Sequence, residues 1–208
     1  MNRNSELNID EVYPLIIKAI ERVGNIFKIS KALILTESDM KCQLYAELSC
    51  IFRSNQYTFD SGILGTPLHT EIAFYNPNTS NYADMPVDIV ILQPSNLSIT
   101  KEVRIRMDKG RFTQKLPGKE YRALGDFILI ELKFCKNKSG ITDAFTASIL
   151  QDIDKMKKNI DFNSDDIIKG VSVVFNKTDR YCDKFDSEIL RTNFQDVEVI
   201  YKSSDVIF

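Results

Sequence analysis

The feature that most constrains this chain is the run Phe127 to Cys135, in which every residue except Glu131 and Lys133 is apolar. Such a run reads as a strand buried on both faces, so the fold must supply a covering layer on each side of a sheet. Strand alternation sends Glu131 and Lys133 to one face and Ile130, Leu132 and Phe134 to the other. An acid and a base thus share one side of a core strand. Val87 to Leu92 is a second near-continuous apolar segment, and it carries Asp88. A buried, unpaired carboxylate is costly, so Asp88 needs a cation, a hydrogen-bond network or an edge open to water. All three charges are accommodated if the two strands are neighbours and their charged positions meet at an open end of the sheet.

Helices are expected around these strands. Val12, Leu15, Ile16, Ala19, Ile20, Val23 and Phe27 recur at helical spacing and predict a helix over 8–28. Thr36 before Glu37-Ser38-Asp39 has the form of an N-cap with an acidic first turn, resembling a capping box, and predicts a helix over about 37–53. Ser54 to Pro67 reads as a loop and His69 to Tyr75 as a short strand. Ile99 to Met107 alternates more loosely. Thr142 to Ile160 predicts a third long helix, Val171 to Phe175 a strand, Phe185 to Phe194 a short helix and Val197 to Tyr201 a closing strand. Helices alternating with buried strands favour an α/β layer architecture. The 208 residues, 43% of them hydrophobic, are enough for one core and are read as a single domain over 1–208.

Composition narrows the function classes. The chain carries 27 basic and 29 acidic side chains, a formal net charge of -2, so the molecule as a whole does not attract phosphate. The four cysteines, Cys42, Cys50, Cys135 and Cys182, are widely separated, and the first residues are polar and charged, which is read as a cytoplasmic protein with free thiols. His69 is the only histidine, and a closed Cys/His zinc site is not expected. No apolar run approaches the ~18 residues of a membrane span, so no membrane role is expected.

The chemistry available to Asp88, Glu131 and Lys133 is specific. Two carboxylates are hard oxygen ligands suited to Mg²⁺ or Mn²⁺. An ammonium beside them can orient or help deprotonate an attacking water, or neutralise charge in a transition state. The same periodicity also allows a purely structural Glu131–Lys133 ion pair on an edge strand.

Asp88 preceded closely by Pro86, then Glu131-Leu132-Lys133 on a later buried strand followed by a helix, resembles the PD-(D/E)xK, restriction-endonuclease-like nuclease superfamily. The resemblance covers roughly residues 37–175 as an order of elements. It implies a mixed central sheet flanked by helices, Asp88 and Glu131 as ligands of Mg²⁺ (or Mn²⁺), and Lys133 serving the nucleophilic water. It further suggests Glu37 as the glutamate that many members place on the helix before the sheet, with a favourable helix N-terminal charge as the alternative. His69-Thr70-Glu71 is similar to a histidine and glutamate found in the first core strand of some members, suggesting Glu71 as an added metal ligand, with a solvated strand-end charge as the alternative, and His69 as a proton-transfer or ligand candidate. Gln151, Asp152 and Lys155, one helical side just after the Glu-x-Lys strand, fall where nuclease members often carry a polar pair, with a solvated helix face as the alternative. Lys155 stands where RecB-like branches have tyrosine.

A polynucleotide would meet a local basic patch. Residues 101–122 hold eight basic against three acidic residues in a chain that is net negative. Phosphate contacts are expected from Arg104, Arg106, Lys109, Arg111 and Lys115 on this inserted hairpin, with Lys136 and Lys138 just past the catalytic strand. A merely soluble, charged hairpin is the alternative. The expectation is therefore a metal-dependent nuclease acting on DNA in preference to RNA. The alternative is a catalytically inactive nucleic-acid- or protein-binding module on the same fold. A homodimer is open, because many enzymes that cut both strands work in pairs.

Overall fold

The computed structural model describes residues 8–52, 56–57, 64–74, 86–98, 104–108, 111–115, 120–123, 125–162 and 167–204. In chain order, α1 (Ile9–Ile29) and α2 (Glu37–Ile51) lead to the short pair β1 (Gln56–Tyr57) and β2 (Leu64–Gly65). Next come β3 (Leu68–Phe74), β4 (Val87–Leu92), β5 (Leu97–Ser98), β6 (Arg104–Asp108), β7 (Arg111–Lys115), β8 (Glu120–Ala123) and β9 (Phe127–Cys135). The chain then forms α3 (Asp143–Phe162), β10 (Ile168–Asn176), α4 (Asp183–Phe185), which runs on into a π-helical turn over Asp186–Leu190, and β11 (Val197–Ser203).

Among the described residues the main sheet has the order β11-β10-β9-β4-β3-β8-β5, five long strands followed by two short ones. It is mixed: β9 is parallel to β10 and β10 to β11, whereas β4 runs antiparallel to both β9 and β3. Parallel neighbours need a crossover, and α3 supplies it between β9 and β10. β6 and β7 form a separate antiparallel hairpin within the 101–122 insertion.

Alternation along β9 divides the core. Ile128, Ile130, Leu132 and Phe134 meet Ile16, Ile20, Phe27, Leu44 and Leu48 of α1 and α2 on one face. Phe127 and Leu129 meet Ile149, Ile153 and Met156 of α3, with Phe185 and Ile189, on the other. Phe27 stacks on Phe175 at 4.9 Å between ring centres and meets Phe134 edge-on at 5.8 Å. Helices therefore cover both faces of the sheet, which is what a strand buried on both sides requires.

The elements expected from the sequence are present within a few residues. Thr36 caps α2 through a reciprocal box: its hydroxyl accepts from the Asp39 N–H at 3.1 Å, and Asp39 accepts from the Thr36 N–H at 3.0 Å. Between Ser54 and Pro67, read as loop, Gln56–Tyr57 pairs with Leu64–Gly65. Arg53 at the expected end of α2, Tyr75 at the expected end of β3, and the part of the Ile99–Met107 segment before Arg104 lie outside the described residues. All four cysteines are free thiols. No helix among the described residues is long and apolar enough to cross a membrane.

Candidate active site

The site lies where β9 and β4 part company. Their ladder pairs Leu92 with Phe127 through to Ile89 with Ile130. One residue further, at Asp88 and Glu131, the ladder ends and the backbone bonding changes partner. The Leu132 N–H donates to Asp88 Oδ2 at 2.9 Å, and the Phe134 N–H donates to Glu37 Oε2 at 3.2 Å. Side-chain carboxylates from β4 and from the first turn of α2 thus satisfy the strand edge that β4 leaves open. On its other edge β9 stays paired with β10 through Cys135 and Asn176.

Glu131 and Lys133 both turn toward α3, as alternation requires, but they do not pair with each other. Glu131 Oε1 lies 2.6 Å from the Lys155 ammonium, and Lys133 lies 2.7 Å from Asp152 Oδ2. β9 is also a central strand, so the edge-strand Glu131–Lys133 pair allowed by the sequence is not formed. Lys155 stands 3.7 Å from Asp152 Oδ1 and donates to the Pro86 carbonyl at 3.1 Å, joining α3 to the start of β4. Glu131 is 3% exposed and Asp152 6% exposed, so these contacts are nearly dry.

On the α2 side, Lys41 lies 2.6 Å from Asp88 Oδ1 and also bonds Glu71. Glu71 has φ of 57°, the left-handed region that disfavours a residue with a Cβ. Backbone strain of this kind, typically ~1–3 kcal/mol, persists where the surroundings over-determine it, here beside the Lys41 pair. Sequence reasoning assigns Lys41 no role; its one signal is the i, i+4 spacing from Glu37, which reads equally well as a solvated helix pair.

Burial pushes the Glu131 carboxyl up to about 8, against the opposing pull of Lys155. Glu37 is also raised, by burial first, with Asp88 adding to the shift and Lys133, the Phe134 N–H and Lys41 opposing it. Burial would lower Lys41 and Lys133, but the bonds of Lys41 to Asp88 and Glu71, and of Lys133 to Asp152, outweigh it and raise both. Electrostatic coupling also links Glu131 to Asp88 and Glu37 to Lys133.

Other candidates are placed apart. Gln151 is exposed on α3, on the solvent side of Asp152. His69 is half-buried on β3, its register partner is Val90, and no ion pair ties it to the cluster among the described residues. Burial lowers its pKa against a backbone bond with Thr66, and its Nε2 is shut from solvent without a hydrogen-bond partner among the described residues. Lys136 and Lys138 are exposed just past β9. Arg104, Arg106, Arg111 and Lys115 belong to the β6–β7 hairpin, where the backbone alone is described, and Lys109 lies outside the described residues.

Among the described residues no three His, Cys, Asp or Glu side chains converge closely enough to hold an ion as they stand. The donor chemistry nonetheless suits a hard divalent cation. Asp88 and Glu131 come from adjacent strands and are electrostatically coupled, and Glu131 Oε1 and Asp152 Oδ2 lie 2.6 and 2.7 Å from ammonium groups. Comparisons of the chain with protein-family models, curated proteins and solved structures give no significant match.

Proposed function

We propose that this chain is a Mg²⁺- or Mn²⁺-dependent nuclease of the PD-(D/E)xK, restriction-endonuclease-like class, hydrolysing phosphodiester bonds of DNA. What supports it most directly is that Asp88 and Glu131, each one residue beyond the last paired positions of β4 and β9, stand where the two strands separate, with Lys133 two residues along the same face of β9. Asp88 and Glu131 would hold the ion, which when bound supplies Lewis acidity toward a phosphoryl oxygen.

The chain's own residues account for the rest. Lys133, held by Asp152, presents an ammonium beside the two carboxylates, where it can orient the attacking water and offset charge in the transition state. Asp152 fixes that ammonium and also approaches Lys155. Glu37 anchors β9 through the Phe134 N–H and so holds the strand's free edge open beside α2. The basic segment 101–122 is inserted in sequence between the two strands that carry Asp88 and Glu131, and with Lys136 and Lys138 it would supply phosphate contacts.

The test is cleavage of supercoiled plasmid, single-stranded DNA and RNA with Mg²⁺ or Mn²⁺, comparing the wild type with Asp88→Asn and Glu131→Gln proteins shown to be folded. Metal-dependent DNA cutting that both substitutions abolish supports the proposal. No cutting of any substrate, together with polynucleotide binding that survives both substitutions, would replace it with an inactive binding module on this fold.

A further inference from the structure

The lysines opposite the two candidate ligands have a further role. We propose that Lys41 and Lys155 are exchangeable counter-cations: they neutralise Asp88 and Glu131 in the metal-free protein and move off these carboxylates when a divalent ion binds. The inference rests on the metal-site reading above.

Two observations carry it. First, each ammonium lies against one candidate ligand, Lys41 on Asp88 Oδ1 and Lys155 on Glu131 Oε1, both at 2.6 Å, so it occupies an oxygen that an ion would need. Second, each lysine already has another acceptor. Lys41 bonds Glu71, and Lys155 bonds the Pro86 carbonyl at 3.1 Å with Asp152 at 3.7 Å. An ammonium displaced from the ligand therefore does not become an unpaired buried charge, the outcome that makes breaking most buried ion pairs costly.

Charge balance agrees. With the carboxyls ionised, as ligation of an ion requires, Glu37, Glu71, Asp88, Glu131 and Asp152 face Lys41, Lys133 and Lys155, five acids against three bases, leaving a deficit that one divalent ion would fill. Lys133 differs from the other two. Its ammonium is on Asp152 and on neither ligand, so it need not move.

The test is site-resolved amine labelling of the full wild-type chain, read by mass spectrometry with and without saturating Mn²⁺, using exposed Lys138 as the internal reference. Lys41 and Lys155 should label several-fold faster with Mn²⁺, with Lys133 unchanged. In parallel, calorimetry should give Mn²⁺ binding about tenfold tighter, or better, for Lys41→Met and Lys155→Met than for the wild type. If the wild type binds Mn²⁺ but the labelling of Lys41 and Lys155 does not change, the exchange is refuted while the metal site stands. If neither the wild type nor a folded lysine variant binds Mn²⁺, the metal site itself is refuted and the exchange with it. The labelling uses unsubstituted protein, so a variant that fails to fold leaves the test intact.

Discussion

Lys155 ties Glu131 to the strand that carries Asp88: its ammonium is 2.6 Å from Glu131 Oε1 and donates to the Pro86 carbonyl, two residues before Asp88, at 3.1 Å. One side chain from α3 thus fixes the relative position of the two strands at the point where their ladder ends. It also leaves Glu131 in a nearly dry setting, where burial outweighs the neighbouring positive charge.

That setting gives the metal-free protein a pH signature. The folded-state pKa of Glu131 is raised from an ordinary 4.5 to about 8. Its contribution to stability is therefore complete below the ordinary value and is lost as pH rises through about 8, because the unfolded chain releases that proton more easily. Glu131→Gln stays neutral throughout. In EDTA, the stability of Glu131→Gln relative to wild type should rise between about pH 5 and pH 9 by on the order of a few kcal/mol. Urea unfolding at several pH values measures this, and a constant difference would show that Glu131 is ionised in the fold.

Lys133 should act on the chemical step more than on the fold. Lys133→Met removes the ammonium beside the carboxylates while Lys155 remains near Asp152. Single-turnover cleavage is expected to fall by roughly 10²–10³-fold, the range for losing one charge-stabilising donor. Lys133→Arg should recover part of the rate. A loss of DNA binding with unchanged single-turnover rate would instead assign Lys133 to substrate affinity.

Much of this arrangement was legible in the sequence because strand alternation is a local rule. The apolar runs around Asp88 and Glu131 marked both strands at their full lengths, and Thr36 with Asp39 located the start of α2. Alternation also assigned Glu131 and Lys133 to one face. It could not choose their partners. Residues two apart on a strand share a face without touching, and the ammonium and carboxylate that reach them come from α3, whose approach depends on packing far along the chain. Lys41 was hidden for the same reason, since its partners Asp88 and Glu71 belong to strands that local spacing does not bring to α2. Gln151 shows the converse: adjacent to Asp152 in sequence, it lies on the exposed side of the helix.

The cap of α2 should matter to the site as well as to stability. Thr36 accepts from the Asp39 N–H, and the next residue, Glu37, holds the Phe134 N–H. Thr36→Ala should cost about 1 kcal/mol, the usual loss for an N-cap. Thr36→Ser, which keeps the hydroxyl, should lose far less. Thermal melts of the two variants separate the hydroxyl's contribution from general sensitivity at this position, since equal losses would exclude the cap.

Between β9 and α3 the chain passes Gly140, whose φ of +85° is unfavourable for any side chain. A Cβ built there would collide with the Arg180 carbonyl oxygen. That same carbonyl accepts the Ile141 N–H at 3.0 Å, and Ile141 in turn accepts from the Cys182 N–H at 3.0 Å, so the close approach is part of the backbone clasp from which α3 starts. Gly140→Ala must force the two segments apart and should destabilise the fold by more than about 1 kcal/mol, beyond the ordinary glycine-to-alanine effect, which in a compatible conformation is stabilising. Because Asp152 and Lys155 ride on α3, the displacement should also loosen their contacts to Lys133 and Glu131. The expected result is a lowered melting temperature together with a cleavage rate reduced beyond the unfolded fraction at the assay temperature. If the rate falls only in proportion to unfolding, α3 keeps its register without the clasp, and the site is positioned by the sheet and α2 alone.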